Sequence, residues 1–363
     1  MPTNTYHFDV WDQATLTDII QRPPAGRAPG AAEDASNLLG ETIAPLKSIP
    51  GRNAKVRVAE LKPFGTAPFR APDASPQTFK PAISWSEETL ELLILDEVER
   101  ILEEDWMKLN SSDDNIRRSA GASLVDRGRI LQLRNIRATE KLRWGAFQGG
   151  VTTITYPSGQ TLQIDYGLPA GHTPVLGTLW SDHTNADPVT DIQNWSEQIA
   201  ADSGFYGNRV HMNSKTYNHL IHNAKIQAAI NIYAPSANTI FRPRREDLLN
   251  LFTSFATDVQ IVIYDNGYRD VGATGIGVGS ITKYLPDGYV LMTTDYTLDG
   301  VNIADTLDGQ VSVQTGYNTV ETRQGEQAQV QLDDLTFVHM LRYTSARIPR
   351  ILIPEAFLWA KVA

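Results

Sequence analysis

Half of the chain's twenty prolines fall in one stretch: Pro23, Pro24, Pro29, Pro45, Pro50, Pro63, Pro68, Pro72, Pro76 and Pro81. Proline locks φ and offers no backbone N–H, so this density excludes long helices and central strands. A structureless loop of that length is uncommon inside a compact domain. Yet the stretch is not low in complexity, since it holds Val56, Val58, Leu61, Phe64, Phe69 and Phe79. It reads as an extended arm that becomes ordered on another surface. Residues 53–64 (NAKVRVAELKPF) alternate as a strand does, which predicts a two-stranded loop over 53–80. Between 42 and 85 the basic residues are Lys47, Arg52, Lys55, Arg57, Lys62, Arg70 and Lys80, against Glu60 and Asp73. The arm is therefore basic on a chain whose formal net charge is −10.

The next two segments have opposite sign. Residues 86–110 carry nine acids against Arg100 and Lys108. The Ser86-Glu87-Glu88 start, with Leu95, Val98, Leu102 and Leu109 at helical spacings, predicts a helix there. Residues 111–150 carry eight basic side chains against four acids, a net of +4. Capped by the SSDD phrase at 111–114, they place Ile116, Ala120, Leu124, Leu131, Ala138, Leu142 and Ala146 on one narrow stripe. That predicts a single helix of about 45 Å, ending at Gly149-Gly150, with Gly121 or Gly128 as possible kinks. A charge run is most often a solvated face. Adjacent runs of opposite sign point instead to pairing, within the chain or between copies. The residues assigned to such contacts are Arg57, Lys62, Arg70, Arg127, Arg134, Arg137, Glu97 and Glu104.

Residues 151–167 (VTTITYPSGQTLQIDYG) read as a hairpin turning at Pro157-Ser158-Gly159. After it, helices and strands alternate. A short helix, TLTDIIQ, is expected near the N-terminus with Thr15 or Thr17 as its cap. Asp187-Pro188 should cap a helix through Asp202, stopped by Gly204. Ser214 should cap another, to Ala229, and residues 244–257 form a third. Residues 280–294 read as a second hairpin turning at Pro286-Asp287-Gly288. The closing segment, 348–363, reads as an apolar strand.

Chemistry is sparse. With no cysteine there are no disulfides, thiolate nucleophiles or Cys-bound zinc. The negative charge argues against a nucleic-acid reader built on a positive field. The N-terminus lacks the pattern of a signal peptide, no run is long and apolar enough to span a membrane, and the cytosol is the expected site of folding. There is no P-loop and no nucleophile elbow, and the glycines at 272–279 lack the dinucleotide spacing. His219 and His222 lie three apart on an expected helix near His211, so a His-only metal site is geometrically possible. No carboxylate sits at the matching step, and partly buried polar histidines are the reading taken. The 295–309 segment is rich in Asp and Gly but lacks the calcium-loop spacing. No base, metal ligand or nucleophile accompanies Asp165 in sequence. No catalytic, cofactor-binding or metal-binding residue is assigned.

The order of parts resembles the lambda-type major capsid protein E family of tailed bacteriophages. LTDIIQRPP resembles its N-terminal arm, and IPGRNAKVRVAELKPFGTAPFRAPDASP its extended loop. Residues 123–167, from SLVDRGRI to IDYG, are similar to its spine helix and hairpin. IVIYDNGYRD and YLPDGYVLMTT are similar to later family phrases, while residues 291–309 depart from the family pattern. The resemblance implies an α+β, Hong Kong 97-type fold. Its parts would be an N-terminal arm (1–45), an extended loop (46–85), a peripheral domain (86–169, spine helix about 112–148) and an axial domain (170–340). A C-terminal strand (341–363) would return to the peripheral domain. It implies a structural head protein, not an enzyme, that forms pentamers and hexamers of an icosahedral shell around double-stranded DNA bound without sequence specificity. Decoration, scaffolding and portal proteins are further partners of such a shell, and assembly would occur in the host cytoplasm. No cofactor and no membrane are implied. A nanocompartment shell of the same fold and a hydrolase or sugar-binding enzyme in the later α/β region are the alternatives.

Overall fold

The computed structural model describes residues 13–21, 38–59, 85–156, 159–233, 245–253, 258–269, 280–298, 300–316, 319–332 and 338–363. One helix, Asp114–Phe147, runs unbroken for 34 residues, about 51 Å. Asp113 caps it by accepting from the Asn115 N–H (2.8 Å), and Gly149 and Gly150 end it at φ 75° and 73°. Gly121 and Gly128 do not kink it. Gly128 instead leaves room for Ile20 of the helix Gln13–Gln21, which packs where a Cβ would stand. Thr17 lies inside that first helix and is not its cap: its hydroxyl donates to the Ala328 carbonyl (3.2 Å) and accepts from the Ala328 N–H (3.0 Å).

The long helix lies on a five-stranded sheet organised by the 13-residue strand His339–Ile351. That strand pairs antiparallel with Leu93–Arg100, Gln327–Leu332 and Ala304–Asp308. Leu46–Ser48 adds to Ala304–Asp308 in parallel. A second sheet has the order Phe357–Lys361, Tyr289–Thr293, Arg209–Met212, Gln260–Ile263. Helices Pro188–Ser203, Ser214–His222, Ala224–Tyr233 and Arg245–Thr253 contribute to its apolar core, with Trp180, Trp195, Ile199, Met212, Leu220, Phe252 and Leu358 buried. The chain's last residues thus divide between the two sheets.

Several local readings are corrected by the structure. No helix begins at Ser86: residues Trp85–Glu91 and Leu93–Arg100 are strands, and only Glu103–Leu109 is helical. Strand 93–100 gains an eight-residue ladder on 340–347 and sets Leu95, Glu97 and Glu99, each half-buried, on one face. Such tertiary pairing overrides local propensity. Strand Asn53–Ala59 exists, and its partner is Trp85–Glu91. Residues 280–294 form no hairpin: Thr282–Lys283 pairs with Gly267–Tyr268, while Tyr289–Thr293 pairs with 357–361 and 209–212. The turn at Gly288 (φ 77°) remains, because its carbonyl receives the Val362 and Ala363 N–H groups.

The caps at Asp187 and Gly204 are as expected. The next helix is capped by Asn213, not Ser214, and Asn223 divides it from its successor. Asn223 Oδ1 accepts from the N–H groups of Lys225 (3.0 Å) and Ile226 (3.1 Å). Hairpin Val151–Thr155/Thr161–Asp165 forms, and Asp165 Oδ1 accepts from the Gly167 N–H (2.9 Å), a local turn contact.

Glu140, fully buried on the long helix, joins these parts. Its Oε1 accepts from the Gly40 N–H (2.8 Å), Trp144 Nε1 (2.8 Å) and the Tyr264 hydroxyl (2.9 Å). Arg143 lies 3.4 Å from its Oε2 and donates through Nε to Thr306 Oγ1 (2.9 Å). Glu140→Ala leaves these donors and a buried guanidinium without their acceptor, so a loss of about 3–5 kcal/mol is expected. The denaturant midpoint of unfolding measures it, and an unchanged midpoint would show that the network is dispensable.

Candidate functional site

The contact residues expected from the charge pattern fall in three groups. Arg134 and Glu97 meet within the chain at 2.9 Å. Arg127 meets Asp105 at 2.7 Å and Glu99 at 3.6 Å, so the strand 93–100 and the helix Glu103–Leu109 are clamped to the long helix by ion pairs. Half-burial raises the Glu97 carboxyl above its ordinary pKa, against the opposing pull of Arg134. Glu104 pairs with Lys108 one turn on (2.7 Å), at the surface. Arg137 is exposed, and among the described residues its side chain pairs with no carboxylate. Arg57 stands opposite Glu87 in the register of the 53–59/85–91 ribbon, while Lys62 and Arg70 lie outside the described residues.

Deeper ion pairs were not evident in the sequence, because their partners are far apart. Arg347, 3% exposed, reaches Asp308 (3.0 Å) and Glu326, and Arg350 reaches Asp305 (2.8 Å). Arg342 is bidentate on Asp96. Asp305 and Asp308, in the Asp- and Gly-rich segment 295–309, are occupied by these arginines. Burial raises the Asp308 carboxyl, and Arg347 opposes it.

The histidines divide. His211 is wholly buried in the second sheet, with Nε2 3.3 Å from Thr293 Oγ1 and no partner for Nδ1. Burial, aided by the nearby Arg209 charge, lowers its pKa to about 3. His219 and His222 are met not by His211 but by His183, from the turn before helix Pro188–Ser203. Among the described residues no group of three or more His, Cys, Asp or Glu side chains could hold a metal ion. No described helix is long and apolar enough to cross a membrane.

Two clefts flank the long helix. One of about 780 Å³ lies between its C-terminal half, the hairpin and residues 281–287, lined by Leu142, Ile154, Tyr268, Ile281 and Tyr284 among others. Another of about 630 Å³ lies between its first turns and the helix Glu103–Leu109. Both are amphipathic surfaces suited to contact, beside exposed Ile94, Val98, Leu102, Met107 and Ile281.

A family model described as phage major capsid protein E matches residues 66–309. The chain belongs to that family. It is a structural protein of the tailed-phage virion capsid, and not an enzyme. The fold agrees: a protein assigned as the capsid protein of a prophage in Escherichia coli CFT073 superposes with a TM-score of 0.58 at 14% identity, over 97% of this chain and 99% of that one. A phage-related protein from Bordetella bronchiseptica RB50 superposes with a TM-score of 0.55 at 12% identity, over 96% of each chain. The capsid protein E chain therefore has the mixed α+β, Hong Kong 97-type fold. No curated protein matches the sequence.

Two predictions follow from the site's electrostatics. Arg134→Glu sets two carboxylates side by side and should cost about 1 kcal/mol, given partial exposure. Adding Glu97→Arg should recover most of it in a double-mutant cycle, whereas additive losses would deny the pairing. For His211, the folded pKa lies below the ordinary 6.5, so below that pH the unfolded chain binds a proton that the folded chain refuses. Stability is then lost as pH falls from about 6.5 toward 3, by on the order of 4 kcal/mol. His211→Gln should flatten this part of the acid-unfolding curve, and an unchanged slope would rule the residue out.

Proposed function

We propose that this capsid protein assembles with copies of itself into pentamers and hexamers of an icosahedral shell enclosing double-stranded DNA. Assembly takes place in the host cytoplasm, and the DNA is held without sequence recognition. Decoration, scaffolding and portal proteins are the further partners of this reading. Its division of the chain is an arm (1–45), an extended loop (46–85), a peripheral domain (86–169), an axial domain (170–340) and a returning segment (341–363).

The observation that carries the reading is the ribbon 53–59/85–91. Among the described residues it pairs with no third strand, so each of its strands has one ladder only. The sequence between its strands holds Lys62, Arg70 and Lys80 with Phe64, Phe69 and Phe79. Such a segment gains by burying apolar and basic groups on a neighbour, with ordering entropy lost at assembly. The chain's net charge of −10 supports binding of a basic arm to an acidic neighbour and weak contact with packaged DNA.

Negative-stain microscopy of the purified protein should show hollow particles, or isolated pentamers and hexamers. Arg57→Glu, Lys62→Glu and Arg70→Glu combined should abolish them while the subunit's circular dichroism stays native. A monomer at every concentration and salt would refute shell formation. Unchanged particles from the triple variant would refute the role of the arm.

A further inference from the structure

Two apolar surfaces flank different stretches of the long helix, and each carries a charge that its own subunit leaves unmatched. The first is a ridge at residues 102–107. Leu102 is 65% exposed and Met107 63%, although both are large apolar side chains. Glu103 is exposed beside them, one turn before Met107 on the helix Glu103–Leu109. The next two acids are already matched, Glu104 by Lys108 and Asp105 by Arg127. Among the described residues Glu103 meets no cation.

The second is the cleft of about 780 Å³ between the C-terminal half of the long helix, the hairpin and residues 281–287. Val151 and Ile281, both exposed, line it with Tyr268. Arg137 and Lys141 follow one another at one helical turn beside it. Lys141 lies over the Tyr268 ring at 4.5 Å, and the Arg137 carbonyl accepts from the Tyr284 hydroxyl (3.2 Å). Lys283 is matched by Asp265 and Asp287. The exposed Arg137 side chain meets no carboxylate among the described residues.

One subunit cannot seat its own ridge in its own cleft. Asp105 is held at Arg127, which stands ten residues before Arg137, about 15 Å along the helix. The strand 93–100 that leads to the ridge is fixed to Arg134 through Glu97 (2.9 Å). Contact between ridge and cleft therefore requires a second copy. It would join two different patches, head to tail, which is the kind of contact that closes a rotational ring. The chemistry matches: an acid with exposed Leu and Met faces a cation with exposed Val and Ile. The arm, with Lys62, Arg70 and Lys80, would set like charge against Arg137 and Lys141 and is the poorer occupant.

We propose that the ridge Leu102–Met107 of one copy seats in the cleft beside Arg137 and Ile281 of the next. Glu103 pairs with Arg137, while Leu102 and Met107 cover the apolar lining. The inference rests on self-assembly of this capsid protein and names one of its contacts.

The chain has no cysteine, which gives a direct test. Full-length Glu103→Cys and Arg137→Cys variants are mixed at high concentration under mild oxidation. A disulfide needs Cα atoms within about 7 Å, so a two-chain product joining the variants is expected, at least about tenfold above that from either variant alone. No such product, or as much from one variant alone, overturns the contact. If Arg137→Cys joins Phe64→Cys of the arm instead, the cleft belongs to the arm and the proposal fails. In negative stain, Glu103→Arg and Arg137→Glu should each lower particle yield at least about tenfold, and the double reversal should restore it. Wild-type yields from both single reversals, or no restoration, overturn the contact and leave shell formation standing. A wild type that never forms particles refutes shell formation, and the disulfide assay alone then decides the contact.

Discussion

A carboxylate with no exposure to solvent holds the subunit's parts in register. Glu140 takes three donors on one oxygen, from the short helix Leu39–Ile43 (Gly40), its own helix (Trp144) and the second-sheet region (Tyr264). Its neighbour Arg143 extends the network to Thr306, which donates in turn to the Ala44 carbonyl (2.9 Å). Burying such a pair is expensive, and only a full set of hydrogen bonds offsets the cost. The arrangement therefore rewards one rotation of the helix about its axis and penalises others. An apolar stripe alone would tolerate sliding. Gly40 belongs to the same constraint, since a Cβ there would lie 2.5 Å from Glu140 Oε2. Burial lowers the pKa of Arg143 against the opposing pull of Glu140, while burial and the Glu140 carboxylate together raise that of Tyr264.

Charge in this chain is used twice, at different depths. Arg127 and Arg134 on the helix are matched by acids of the strand 93–100 and the helix 103–109. Arg342, Arg347 and Arg350 on the long strand are matched by Asp96, Asp308 with Glu326, and Asp305. These pairs neutralise the acidic and basic runs inside the subunit. Exposed apolar side chains such as Ile94, Val98, Leu102 and Met107 remain at the surface of a chain whose net charge is −10. Exposed ion pairs add little to stability, but complementary surfaces set orientation and suppress wrong contacts.

What the sequence made legible was what local chemistry decides. Asp113, Asp187, Pro188, Gly204 and the Gly149-Gly150 stop each act within one turn of backbone, and the helices they bound are where those residues put them. The hairpin at 151–165 is equally local. The strand 93–100 was not legible, because its partner lies about 250 positions away and its glutamates favour a helix in isolation. The hairpin expected at 281–294 failed for the same reason: Tyr289–Thr293 found partners in the last residues of the chain. Of the contact residues, Arg127, Arg134 and Glu97 were recognisable from opposed charge runs, but pairing within the chain could not be told from pairing between copies. Buried polar residues on the helix, Asn135, Thr139, Glu140 and Arg143, broke the apolar stripe and were invisible to a hydrophobic pattern. His183 had no helical spacing to connect it with His219.

The position of the long strand has a consequence for when the subunit becomes competent. His339–Ile351 supplies the partner of 93–100 and of 304–308, which in turn holds 46–48. Without it the long helix has no sheet to lie on, and Ser345 is missing from its hydrogen bond to Asn135 (2.8 Å). The following strand, 357–361, is the partner that completes the second sheet at 289–293. Both sheets therefore close only once residues 339–361 are available to pair. Contacts of such sequence separation are slow to form, since loop closure must precede any gain from pairing.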